Sequence, residues 1–107
     1  MRFRVVDRDK FNEISTGKKS IETRAATIKY KKVKVGDRLT IICGSDQIVK
    51  EVVRIEHYRS IEDMFKKINY SKILPSVKSA KEAIRVFYSF PDYKIKIKQY
   101  GILAFYL

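Results

Sequence analysis

The densest polar run in the chain is Gly17-Lys18-Lys19-Ser20-Ile21-Glu22-Thr23-Arg24. If Ser20 to Arg24 runs as a strand, alternation turns Ser20, Glu22 and Arg24 to one face and Ile21 and Thr23 to the other. An acid and a guanidinium then become neighbours, with Lys19 close by. Arg24 and Lys19 could meet a phosphate or a base carbonyl through charge-assisted hydrogen bonds. Glu22 could accept from an exocyclic amine or hold Arg24 in position. On composition alone, such a pair on a sheet face is more often a structural ion pair than a site. Ser20, on the face of Glu22, is the one hydroxyl placed to act beside it.

A second polar run, Lys29-Tyr30-Lys31-Lys32-Val33-Lys34 with Arg38, sets five cations in ten residues around one aromatic. That is the composition of a phosphate-tracking loop, with Lys31 and Lys32 at its centre, and equally of a solvated connection. Tyr30 or Tyr58 could stack on a base. The lone histidine, His57, has no nucleophile in view and reads as structural. Cys43, embedded in Leu39-Thr40-Ile41-Ile42-Cys43, reads as a packed strand residue. One cysteine and one histidine leave no set for zinc, and no cofactor motif is present. The Walker, zincin and nucleophile-elbow patterns are also missing, which disfavours the hydrolases built on them.

The 107 residues carry 24 Lys and Arg against 12 Asp and Glu, a net charge of +12. Length and the lack of any linker or repeat predict one domain over residues 1–107. At 45% hydrophobic and 34% charged, the chain is too apolar for disorder. It has no run of the roughly 18 apolar residues that a membrane helix needs. Charges break up the N-terminal apolar residues, and a single cysteine fits a reducing setting, so a cytoplasmic protein with no membrane partner is expected. Excess positive charge makes nucleic acid the default partner, although a Lys- and Ile-rich composition also fits a thermophilic source.

Periodicity supplies the elements. Phe3, Val5 and Val6 read as an opening strand, and Asp7–Thr16 as a helix stopped by Gly17. Leu39–Cys43 and Ile48–Tyr58 flank Gly44-Ser45-Asp46 as a hairpin. Ser60 opens a helix through Ile61, Met64, Phe65 and Ile68, and Ser79-x-x-Glu82 opens another. Tyr93–Lys98 alternates lysine with apolar residues, the pattern of an edge strand whose lysines block sheet-to-sheet association. Ile102–Leu107 closes the chain as a strand. About five strands and three helices, never in strict β-α-β order, predict a small α+β barrel.

The order of residues also carries a resemblance. Phe11 and Ile14, then Gly17-x-Lys19-x-x-Glu22-x-Arg24, then Val35-Gly36-Asp37, lead into Val52-x-x-Ile55-x-x-Tyr58-x-Ser60 with Met64. Leu74-Pro75, Glu82-Ala83 and Tyr100-Gly101-Ile102-x-Ala104 follow. From about Phe11 to Leu107 this resembles the ASCH (ASC-1 homology) domain, whose fold is a PUA-like β-barrel flanked by helices. The resemblance implies a cleft lined by Lys19, Glu22 and Arg24 that binds RNA or a nucleotide-like ligand. Some relatives in that broad family are hydrolases, among them an amidohydrolase of N4-acetylcytidine, and a few are linked to RNA cleavage. A small hydrolase is therefore the alternative. The amidohydrolase pattern has a lysine matching Lys19, but a nucleophilic threonine where Glu22 stands and a glutamate in the segment that here is Ile73–Ser79. Glu22 is no alcohol and that segment holds no carboxylate, so no catalytic residue is assigned.

Overall fold

A computed structural model describes all 107 residues, Met1 to Leu107. In chain order the elements are β1 (Arg2–Phe3), α1 (Arg8–Ser15), β2 (Ile21–Ala25), α2 (Ile28–Lys31), β3 (Arg38–Cys43), β4 (Asp46–Glu51) and β5 (Arg54–Tyr58). Then come α3 (Ile61–Lys67), α4 (Tyr70–Ile73), α5 (Ala80–Ser89), α6 (Tyr93–Tyr100) and β6 (Ile102–Tyr106). The class is α+β, as periodicity predicts. The strands form two three-stranded sheets, β1-β3-β4 and β2-β6-β5. In the first, β1 pairs parallel and β4 antiparallel to β3; the second is antiparallel throughout.

The expected hairpin holds only for its first half. Ile48–Tyr58 is two strands, because the chain crosses between sheets at Val52-Val53. Val52 is buried, its N–H donating to the Asp37 carbonyl at 2.8 Å and its carbonyl accepting from Gly36 N–H at 2.7 Å. Val53 N–H then donates to the Tyr106 carbonyl at 2.8 Å, which starts the second sheet. Val5 and Val6 do not extend β1; they sit exposed in a 3-10 turn over Val5–Asp7.

Tyr93–Lys98 is part of a helix, not an edge strand. Its alternation is misleading, since α6 packs on β2 and α5 and buries Ile97 while Ile95 stays in solvent. Tertiary placement outweighs a weak β-propensity here. Gly101 ends α6 at φ +83°, and a Cβ there would lie 2.5 Å from the Tyr58 carbonyl oxygen. Only glycine fits that approach. The two serine caps form as their spacing predicts: Ser60 Oγ accepts from Asp63 N–H and Ser79 Oγ from Glu82 N–H, both at 3.1 Å.

The main core lies between the second sheet and the helices, with Ile21, Ile102 and Ala104 against Ile61, Met64 and Phe87. Phe11 and Ile14 of α1 pack with Phe3, Ile41 and Cys43 on the first sheet. Leu103 and Phe105, on the other face of β6, pack with Val52, Leu39 and Tyr30. No helix is long and apolar enough to cross a membrane.

Candidate functional site

The end of α1 folds the polar run inward. Gly17 takes φ +80°, and Lys19 N–H donates back to the Glu13 carbonyl at 2.9 Å. The chain reverses into β2 with the Lys19 side chain only 2% exposed. Along β2, Glu22 and Arg24 share a face with Phe105 and Leu103, their partners on β6. Lys19 Nζ lies 3.0 Å from Glu22 Oε1, and Arg24 Nη2 donates to Glu22 Oε2 at 3.2 Å. Thr23 N–H donates to Glu22 Oε1 at 3.0 Å. The Glu22 side chain is 6% exposed and that of Arg24 16%. Burial pushes the Glu22 carboxyl up, but the Lys19 and Arg24 charges outweigh it and hold the group below the usual carboxylate range. Burial likewise works against the Arg24 charge, but Glu22, with help from Tyr93 and Tyr30, outweighs it and holds the guanidinium above its usual range.

Arg24 also spans the two sheets. Its guanidinium stacks 4.7 Å from the Phe3 ring centroid, on β1, and 5.9 Å from that of Tyr30. Its Nε–H is the one buried side-chain polar atom with no hydrogen-bond partner. Such a donor is uncommon in a folded chain and calls for an acceptor.

Above this trio opens a cleft of about 150 Å³, room for on the order of five waters. Phe3, Leu74, Phe87, Phe90 and Tyr93 supply its apolar and aromatic walls, and Arg2, Arg4 and Lys10 its cationic rim. Arg4 Nε donates to Asp7 Oδ2 at 2.8 Å, and Lys10 Nζ lies 3.5 Å from Asp7 Oδ1. The Arg4 and Lys10 charges sit 5.6 and 5.8 Å from the centroid of the Phe90 ring. Five cations thus face only two carboxylates, Asp7 and Glu22, and Arg2 has neither as an ion-pair partner. Tyr93 stands beside Arg24, its hydroxyl pushed up by burial, drawn back in part by Arg24 and raised again by Glu22.

The structure brings Lys19, Glu22 and Arg24 together and leaves the other expected residues outside the cleft. Ser20 is exposed just ahead of β2 and does not line it. Lys31 and Lys32 are exposed at the end of α2 and do not line it either. Tyr58 lies on β5, where its hydroxyl donates to Glu56 at 2.8 Å. Tyr30 packs against Phe105 rather than in the cleft wall. Thr23, expected to face away, borders the cleft. β2 is an edge strand, so a cleft along its unpaired side meets residues of both faces. His57 is exposed, with Nε2 3.0 Å from the Tyr100 carbonyl oxygen, and Cys43 is buried. No three His, Cys, Asp or Glu side chains gather as metal ligands.

Arg2, Arg4, Lys10, Phe90 and Tyr93 were missed by sequence reasoning. Arg2-x-Arg4 carried a signal, because cations two apart around a strand point the same way. Phe90-Pro91-x-Tyr93 carried another, an aromatic pair around a proline between two helices.

No protein-family model matches the chain, and no curated protein does. Solved structures do. The crystal structure of hypothetical protein PH0355 superposes with a TM-score of 0.81 at 31% identity, covering 99% of this chain and 96% of that one. The solution NMR structure of protein PF0455 from Pyrococcus furiosus gives 0.72 at 30% identity, covering 99% and 94%. The chain belongs to their family. Within the PH0355 and PF0455 family the whole fold is shared, first strand to last.

Proposed function

We propose that the chain is an ASCH-type domain of PUA-like architecture that binds RNA or a nucleotide-like ligand in the cleft beside β2. The observation that carries this reading is the layering of the cleft. A carboxylate between two cations lies deepest, aromatic rings form the walls, and excess positive charge lines the mouth. A base can stack on such walls and meet Glu22 or the Arg24 guanidinium with its polar edge, while its phosphate meets Arg2, Arg4 and Lys10. The Gly17-x-Lys19-x-x-Glu22-x-Arg24 element, on which the resemblance to ASCH domains rests, ends at this cleft.

The test is binding of a nucleoside monophosphate, followed by calorimetry, to the wild type and to Arg2→Ala and Tyr93→Phe. Arg2 and the Tyr93 hydroxyl are absent from the buried ion pairs, so neither change should unfold the chain. The expected result is saturable binding that Arg2→Ala weakens about fivefold to tenfold, the size of one charge-assisted contact. Equal affinity in all three proteins removes the cleft from the account.

One observation favours a second reading. Thr23, a hydroxyl-bearing residue that strand alternation sets on the face opposite Glu22, borders the cleft together with Lys19. A hydrolase of a modified nucleoside would use it as nucleophile, and turnover of N4-acetylcytidine lost in Thr23→Val would establish that reading.

A further inference from the structure

A second concave surface lies along the helix that delivers Tyr93 to the cleft. Lys94 and Lys98, four residues apart on α6, share one helix face and line a groove of about 340 Å³ with Arg59, Ser60, Tyr88 and Ile97. None of its three cations has a carboxylate partner, whereas Arg4, Arg8, Lys10, Arg54 and Lys66 each have one. Two acids lie nearby, one of them bonded to the groove's own tyrosine. Glu62 accepts from Tyr88 OH at 3.4 Å, and Asp63 is 3.6 Å from Lys66 Nζ. Ser60 Oγ caps α3. Lys94 Nζ sits 5.9 Å from the centroid of the Tyr88 ring, a ring 37% exposed.

Like charges held together without counter-charge are unfavourable unless something anionic completes them. Tyr93 of the cleft and Lys94 of the groove are consecutive on α6, about 1.5 Å apart along the axis and about 100° apart around it, so the groove continues round the helix from the cleft wall. We infer that the groove of Arg59, Lys94 and Lys98 is the phosphate track of a single-stranded RNA, another nucleotide of which enters the cleft. The inference rests on the cleft reading for its direction and adds a polymer to what was a mononucleotide site. Tyr88 supplies an open ring for a base on the track.

The experiment measures binding of a short single-stranded RNA and of a nucleoside monophosphate to the wild type and to the triple variant Arg59→Ala, Lys94→Ala, Lys98→Ala. The three side chains are exposed and unpaired, so the variant should fold. The expected result is RNA affinity lowered at least about tenfold, with the slope of log affinity against log salt reduced by about 2, and monophosphate affinity unchanged. RNA bound equally by both proteins overturns the track and leaves the cleft reading intact. RNA binding that depends on the groove, in a wild type that takes no monophosphate, overturns the cleft reading and leaves the track standing. A wild type that binds anionic lipid vesicles but no RNA overturns the track.

Discussion

β2 and β5 flank the same strand, β6, and each carries an acid and an arginine two residues apart: Glu22 with Arg24, and Arg54 with Glu56. Their surroundings separate them. Register puts Glu22 and Arg24 on the face of Leu103 and Phe105, and Arg54 and Glu56 on the face of Ala104 and Tyr106. On β2 the pair is joined by the buried Lys19 and roofed by aromatic rings. On β5 the Arg54 side chain is 65% exposed, and Glu56 Oε1 accepts from the hydroxyls of Tyr58 and Tyr106 at 2.8 and 2.7 Å. Both carboxyls are held low against a burial penalty, Glu22 chiefly by charges and Glu56 chiefly by hydroxyl donors with help from Arg54. One local sequence pattern therefore yields a desolvated charge cluster in one place and a solvent-washed network in the other. What distinguishes them is the cover supplied by the helices and by β1.

The comparison breaks hardest at the two acids. Glu22→Gln leaves Lys19 buried without its counter-charge and should cost about 3 to 5 kcal/mol in urea unfolding. Glu56→Gln should cost no more than about 1 kcal/mol, because its charge partner is exposed. Similar losses at both sites would mean that burial does not set their difference.

Acid sharpens the same contrast. A carboxyl whose folded pKa lies below its unfolded value near 4.5 stabilises the fold above that value, and the contribution disappears as pH falls through the folded pKa. The wild type should therefore lose stability as the pH drops below about 4, and Glu22→Gln should flatten that loss more than Glu56→Gln does. Urea midpoints measured down the acid range check this, and an unchanged slope in Glu22→Gln would contradict it.

Arg24→Lys tests the stack on Phe3. Lysine keeps the charge but loses the planar fork, so a loss of about 1 to 2 kcal/mol is expected by thermal unfolding, against almost none for Arg54→Lys. The smallest effect belongs to Tyr58, whose hydroxyl is pushed up to about 12 by burial and by Glu56. In Glu56→Gln its titration, followed by NMR of labelled tyrosine, should move back toward 10.

Much of this arrangement could be read from residues alone. Lys19, Glu22 and Arg24 were legible because strand alternation and a glycine stop are local rules, and the caps at Ser60 and Ser79 for the same reason. The cleft's rim and walls were not. Arg2, Lys10 and Phe90 reach it from β1, α1 and the end of α5, and although Arg2-x-Arg4 and Phe90-Pro91-x-Tyr93 each carry a local signal, nothing in spacing says that these segments converge. Tyr58 shows the converse error, an aromatic near the motif in composition yet on the far edge of the sheet. α6 misled because six residues of alternation suit a strand and a short helix equally, until packing chooses.

The most direct measurement is the amide spectrum of the isotope-labelled protein as nucleoside monophosphates are added. Ligand at the β2 cleft predicts shifts over Lys19–Arg24 and around Tyr93, with β5 silent. No shift with any of the four nucleotides at millimolar concentration, or shifts confined to Glu56 and Tyr58, would contradict it.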